Sequence, residues 1–241
     1  EAVYVFPLPT NSAVNNMIMI VGDRVIQGLI KEKNKAQKIY SKAKKDGKRV
    51  SLTEQQRPNI FTNKVANIMP NDTLIVRLEY VNELKYEEGN FNLRFPIVVA
   101  PRFIDGRRVV GYSGTGWAKD TDIVPDASKI TPHVVPNGMR SGNTIDISIS
   151  IDAGIPIETI SSSTHSILIK KKNKNNYKIS LKNDDVIPNK DFTLNYNIKK
   201  GYEPKAALFT HSDNNNDYFL LMAIPPLTSV SKSEILKEVF F

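Results

Sequence analysis

Along the 241 residues of this chain, apolar side chains recur at every second position in one stretch after another, and Lys31 to Asp46 departs from that rule. There Ala36, Ile39, Tyr40 and Ala43 fall three and four residues apart, which predicts a helix burying one narrow stripe. Gly47 follows directly, where a left-handed glycine can close a helix, and Lys44 and Lys45 sit where the helix dipole favours cations. One helix among many alternating strands confines the chain to a mainly β architecture. Turns at Gly22-Asp23, Pro70-Asn71-Asp72 and Glu87-Glu88-Gly89-Asn90 punctuate the strands. This pattern predicts an antiparallel β-sandwich with one helical insertion, plus a second β-rich region.

The first set of strands is expected at 3–6, 17–21, 24–30, 61–68, 73–81 and 91–95. In 73–81, Leu74, Val76, Leu78 and Tyr80 share one face. Between the helix and the strand that starts at Phe61 lie Glu54, Gln55, Gln56, Arg57, Pro58 and Asn59, a run too polar for a core. Pro58 pushes Arg57 toward an extended conformation. Our reading pairs Arg57 with a carboxylate such as Glu54 or Glu79 and has Asn59 satisfy backbone groups, so that the segment locks the helix onto the sheet. The competing reading makes the same residues a recognition surface. Glycines and prolines then break any period over 105–140, which reads as a long connection pinned to the sandwich by Trp117. Strands resume at 144–151, 166–170, 177–181, 191–198, 206–210 and 218–223, before Pro225-Pro226 ends the sheet.

The net charge of +8 is concentrated. Between Lys31 and Arg49 stand eight lysines and one arginine against Glu32 and Asp46, which supplies +7 of it. Lys35, Lys38, Lys42 and Lys45 form the basic surface of the helix, and Lys170, Lys171, Lys172, Lys174 and Lys178 a second cluster. We read the helix lysines as a solvated face and expect no nucleic acid partner, because lysine outnumbers arginine and no aromatic residues interleave for base stacking. A polyanion-binding module is the alternative. The absence of cysteine excludes a disulfide framework and thiolate metal sites. No run approaches the ~18 apolar residues of a membrane span.

The search for chemistry is short. His133, His165 and His211 are far apart and lack metal spacing, and the hydroxyls of 161–164 beside His165 are of the kind that bond locally in a turn, which leaves a hydrolase as the weakest alternative. Asp213, Asn214, Asn215, Asn216 and Asp217 read as a hairpin tip rather than a calcium loop. No catalytic residue, metal or cofactor is expected, and the chain is read as a protein that is not an enzyme.

Five motifs in order carry a resemblance: Phe6-Pro7-Leu8-Pro9, Ala36-Gln37-Lys38-Ile39-Tyr40, Glu54 to Phe61, Glu79-Tyr80 and Phe95-Pro96. Together they resemble the VIT domain of vault proteins and inter-alpha-trypsin inhibitor heavy chains over residues 1–104. Residues 141–226 resemble the β-rich stretch that follows the VIT domain in bacterial VIT proteins. Residues 227–241 resemble the lead-in to a von Willebrand type A domain. The resemblance implies a fragment, with family strands before residue 1 and a type A domain after residue 241. It also implies a non-catalytic interaction or scaffold module of a secreted or surface-anchored protein, meeting a protein or extracellular matrix partner and the adjacent type A domain. Asp146, Ser148 and Ser150 imitate the metal-ion-dependent adhesion site of that domain, but isoleucines intervene. An extended strand holds Asp146 and Ser150 about 13 Å apart, which makes the motif a decoy.

Overall fold

A computed structural model describes residues 1–226 other than 88, 101–102, 112–113, 115, 133, 137, 141, 184–185 and 214–215. The segment expected to lead into a type A domain, 227–241, and His133 lie outside the described residues, as do Asn214 and Asn215. The chain is mainly β, built of small antiparallel sheets with a helical insertion, and it divides into two compact units. The first comprises Glu1–Lys85, Leu93–Ile145 and Asp185–Thr193; the second Tyr86–Asn92, Asp146–Asp184 and Leu194–Phe241.

In the first unit, β1 (Ala2–Pro7), β2 (Ala13–Val21) and β3 (Arg24–Gln27) precede the helix α1 (Lys33–Lys45), and β4 (Val50–Arg57), β5 (Ile60–Ala66) and β6 (Leu74–Val81) follow it. They form two three-stranded sheets, β1-β5-β4 and β3-β2-β6. Phe6, Leu8 and Phe61 pack with Val14, Leu78 and Tyr80 from the other sheet, and Val65 packs with Met19, Val21, Leu74 and Val76. Alternation along β6 leaves one side half-buried and the other exposed, as its sequence requires. β5 is covered on both faces: Phe61 and Val65 meet the facing sheet, and Ala66 meets Tyr40 of α1.

β2 begins at Ala13, four residues before its expected start, and the strands at Lys85–Glu87 and Ile157–Ser161 are additional to those expected; two further elements of the first unit also depart from the expectation. β3 stops at Gln27 because the Gly28 backbone is pressed on Met17, whose carbonyl accepts from the Gly28 N–H at 2.7 Å. The polar run expected from Glu54 is in part strand: Glu54 to Arg57 belong to β4, because Leu52 and Glu54 face the helix while the intervening side chains face the other way. Glu54 is buried despite its charge.

The stretch 105–140 owes its order to side chains that bond backbone rather than to any repeat. Thr131 donates to the Ala127 carbonyl and accepts from the Ala118 N–H, Asp120 accepts from the Ser128 N–H, and all three polar side chains are buried. A short helix, α2 (Ala127–Ile130), forms at its centre. Trp117 does not pin the loop, since 46% of it is exposed. That role falls to Ala118, Ala127 and Ile130, and Gly116 lets the backbone approach so closely that a Cβ would come within 2.1 Å of the Thr131 carbonyl oxygen.

The second unit holds most of β7 (Lys85–Glu87), half of β8 (Asn90–Phe95) and most of β13 (Phe192–Ile198), along with β9 (Ser148–Asp152), β10 (Ile157–Ser161), β11 (Ile167–Lys171), β12 (Asn176–Leu181), β14 (Lys205–Ser212) and β15 (Asp217–Ile224). The sheets run β10-β13-β8-β7, β11-β12-β9 and β14-β15. Ile179 and Leu181 of β12 and Ile151 of β9 are buried, and Phe91 stacks on Tyr196 at 4.9 Å between ring centres.

Just before β13, in the first unit, Asp191 accepts from the Arg94 guanidinium and from the N–H groups of Ile97 and Val98. Burial alone would push its carboxyl up, but these donors outweigh burial and hold it below the usual carboxylate range. A carboxylate lowered on folding contributes stability above its unfolded pKa and loses it as pH falls through the folded value. Asp191→Asn is therefore expected to be less stable than the parent at pH 7, with the gap closing as pH falls below the ordinary carboxylate range in urea unfolding series. A gap independent of pH would refute this.

Candidate interaction surfaces

The helix is fixed before any surface can be read from it. The Glu32 side chain accepts from the N–H groups of Asn34 and Lys35 and caps the first turn. Gly47 adopts a φ of +71°, and Asn67, itself at a φ of +58°, donates to the carbonyls of Lys44 and Lys48. The buried stripe is Ala36 and Tyr40 against Val50, Leu52 and Ala66. Ile39, expected in that stripe, is half exposed. The Tyr40 hydroxyl donates to Glu1 at 2.6 Å, and Lys44 donates to the other oxygen of the same carboxylate. Lys44 and then Tyr40 hold the Glu1 carboxyl below its ordinary range.

The polar run after the helix is consumed by contacts within the first unit. Glu54 accepts from Gln37 of α1 at 2.6 Å and lies 3.5 Å from the Lys64 ammonium. Gln56 donates to Thr62, Gln55 to the Pro58 carbonyl, and the Asn59 carbonyl accepts from the Leu8 N–H. Arg57 pairs with Asp126, the residue preceding α2, rather than with Glu54 or Glu79. Glu54 is occupied by the helix, and Glu79 accepts from Asn16. Phe61 stacks on Phe6 at 5.8 Å. Sequence reasoning missed Gln37, Lys64 and Asp126. None had a signal in the sequence, since Gln37 and Lys64 reach Glu54 only once helix and sheet have packed and Asp126 is 69 residues from its partner.

Lys35, Lys38, Lys42 and Lys45 are exposed on one side of α1, and none has a carboxylate within 4 Å among the described residues. A shallow depression beside three of them also takes in Asn34, Gln37 and Ser41. On the other flank of the helix lies a groove of about 640 Å³, lined by α1, by 26–31, by β4 and by the start of β2.

In the second unit, Asp146, Ser148 and Ser150 lie on the exposed side of their segment while Ile147, Ile149 and Ile151 alternate inward. Among the described residues no three His, Cys, Asp or Glu side chains are grouped to hold a metal. The His165 N–H and ring bond Ser162 and Thr164 within the turn. Asp213 closes the β14–β15 tip by accepting from the Asn216 N–H and the Tyr218 hydroxyl. Lys170 and Lys178 pair across β11 and β12 on the side away from Ile179. One face of the β14–β15 ribbon leaves Leu208, Phe219 and Leu221 at least 60% exposed.

Residues 1–80 match the family described as Vault protein inter-alpha-trypsin domain. Protein mono-ADP-ribosyltransferase PARP4 of Mus musculus is 24% identical over 230 residues, 95% of this chain and 11% of that protein. The von Willebrand factor A domain-containing protein 5A of Homo sapiens is 33% identical over 134 residues, covering 52% of this chain and 16% of that protein. In Dictyostelium discoideum, von Willebrand factor A domain-containing protein DDB_G0285975 is 32% identical over 84 residues. The chain thus spans about a tenth of the length of the PARP4 relatives. Its first 80 residues are a VIT domain.

Proposed function

We propose that the chain is a non-catalytic protein-interaction module that works beside a von Willebrand type A domain, in a secreted or surface-anchored protein that makes adhesive or matrix contacts. The observation that carries this reading is the outer face of the β14–β15 ribbon. A two-stranded ribbon is marginal in water by itself, and here one face presents Leu208, Phe219 and Leu221 to solvent. The similarity to proteins named for their type A domains supports the choice of neighbour. The polar motif at Glu54 to Asn59 is not the interaction surface, because its side chains and backbone serve internal contacts. Titrating the purified type A domain of the human 5A relative into this chain tests the reading: saturable heat at or below about 10 μM is expected, and none at about 100 μM would end it.

A second reading rests on the four exposed lysines of α1. Like charges three and four residues apart cost a helix a few tenths of a kcal/mol per pair, so their row is not there for helix stability. A polyanion such as heparin would be held there, with retention that falls steeply as salt is raised.

A further inference from the structure

We propose that the groove of the VIT domain receives an extended acidic–apolar peptide strand from a partner protein, added to the free edge of β4. This rests on the interaction-module reading and names the class of partner for a different surface. Three observations converge on it.

The groove runs between two strand edges that lack strand neighbours among the described residues. β4 is the outer strand of β1-β5-β4, and successive residues Val50 to Thr53, belonging to both of its faces, line the groove. The space therefore follows the edge of the strand rather than one side of it. Opposite, β3 pairs β2 from Ile18 to Val21 and the Gly28 N–H takes the Met17 carbonyl, which leaves the Ala13–Asn16 edge without a strand partner on that side among the described residues. An unpaired edge presents a row of backbone donors and acceptors, the pattern that a peptide strand completes.

The walls are apolar and open to solvent. Leu29 is 76% exposed, Ile30 85% and Ile39 50%, and all three line the groove with Val50 and Leu52. A strand added at β4 would send alternate side chains toward these residues. The volume of about 640 Å³ lies within the range of ligand-holding clefts.

The charge has one sign. Among the described residues, Lys31 and Arg49 are the charged members of the lining, and no carboxylate shares it. Arg49 is paired with Asp72, so Lys31 is the cation facing an incoming chain, with the lysine row of α1 on the neighbouring flank. An occupant with carboxylates between apolar side chains matches both features, whereas a basic peptide would be repelled.

The probe is a fluorescein-labelled peptide of about eight residues alternating valine and glutamate, with a valine–lysine counterpart and oleate as controls. Anisotropy should show the acidic peptide binding at least about tenfold tighter than the basic one, and hydrogen exchange should slow at amides between Val50 and Gln55. The paired substitution Leu29→Glu and Ile39→Glu should weaken binding about tenfold while leaving the melting temperature unchanged, because both side chains are exposed. No binding of the acidic peptide at about 1 mM, equal binding of both peptides, or protection elsewhere would overturn the proposal. Displacement of the peptide by oleate, with no protection along β4, would assign the groove to a lipid instead. Peptide binding without type A domain binding would leave this proposal standing and remove the earlier choice of neighbour; the converse would do the reverse.

Discussion

Tyr40→Ala is expected to destabilise the VIT domain by about 3 kcal/mol, the range for removing a large buried ring. Tyr40 is 7% exposed and is the largest side chain that α1 places against the sheet, where it meets Leu52 and Ala66. Truncation removes that apolar area and leaves a cavity between two rigid elements. It also strips the Glu1 carboxylate of one of its two donors. Tyr40→Phe separates the contributions: the ring stays, the hydroxyl bond goes, and the loss should be about 1 kcal/mol. Thermal unfolding reads both, with the alanine variant melting roughly 6–12 °C lower. An unchanged melting temperature for Tyr40→Ala would mean that the helix does not lean on the sheet through this residue.

The helix and the strands of the VIT domain were legible because their periods are strong: β6 alternates without a break, and α1 ends at a glycine that takes the expected backbone conformation. What was hidden has physical causes. β4 was not read as a strand because its sequence alternates between a polar set facing the sheet opposite and a mixed pair, Leu52 and Glu54, facing the helix. Burial of Glu54 depends on Gln37 and Lys64, which approach only after the chain has folded. Ile39 has helical spacing yet faces the groove, because a narrow stripe leaves its flanking positions outside the contact. The pairing of Arg57 with Asp126 crosses a loop whose order rests on buried hydroxyls and one carboxylate, a kind of order that hydrophobic periodicity does not record. The groove was likewise beyond the sequence, since it is made by edges that two sheets leave unpaired.

Removing the Glu54 carboxylate is the second large effect, about 2–3 kcal/mol for Glu54→Ala. Its side chain is 4% exposed, so the charge is held by neighbours rather than by water. Gln37 donates to one oxygen, and Lys64 approaches the other. With the carboxylate gone, the Lys64 ammonium, 27% exposed, keeps its charge beside the helix without a counter-ion, and the Gln37 amide loses its acceptor. The partial exposure of Lys64 keeps the loss below that of a fully enclosed pair. The arrangement predicts non-additivity: Lys64→Met should cost less on the Glu54→Leu background than on the parent, with a coupling of about 1 kcal/mol or more in urea unfolding. The consequence extends to the surface, because the same three residues hold α1 over β4, and α1 forms one wall of the groove. Glu54→Leu with Lys64→Met should therefore restore stability and peptide binding together. Additive single losses would show that Glu54 and Lys64 do not act as a pair.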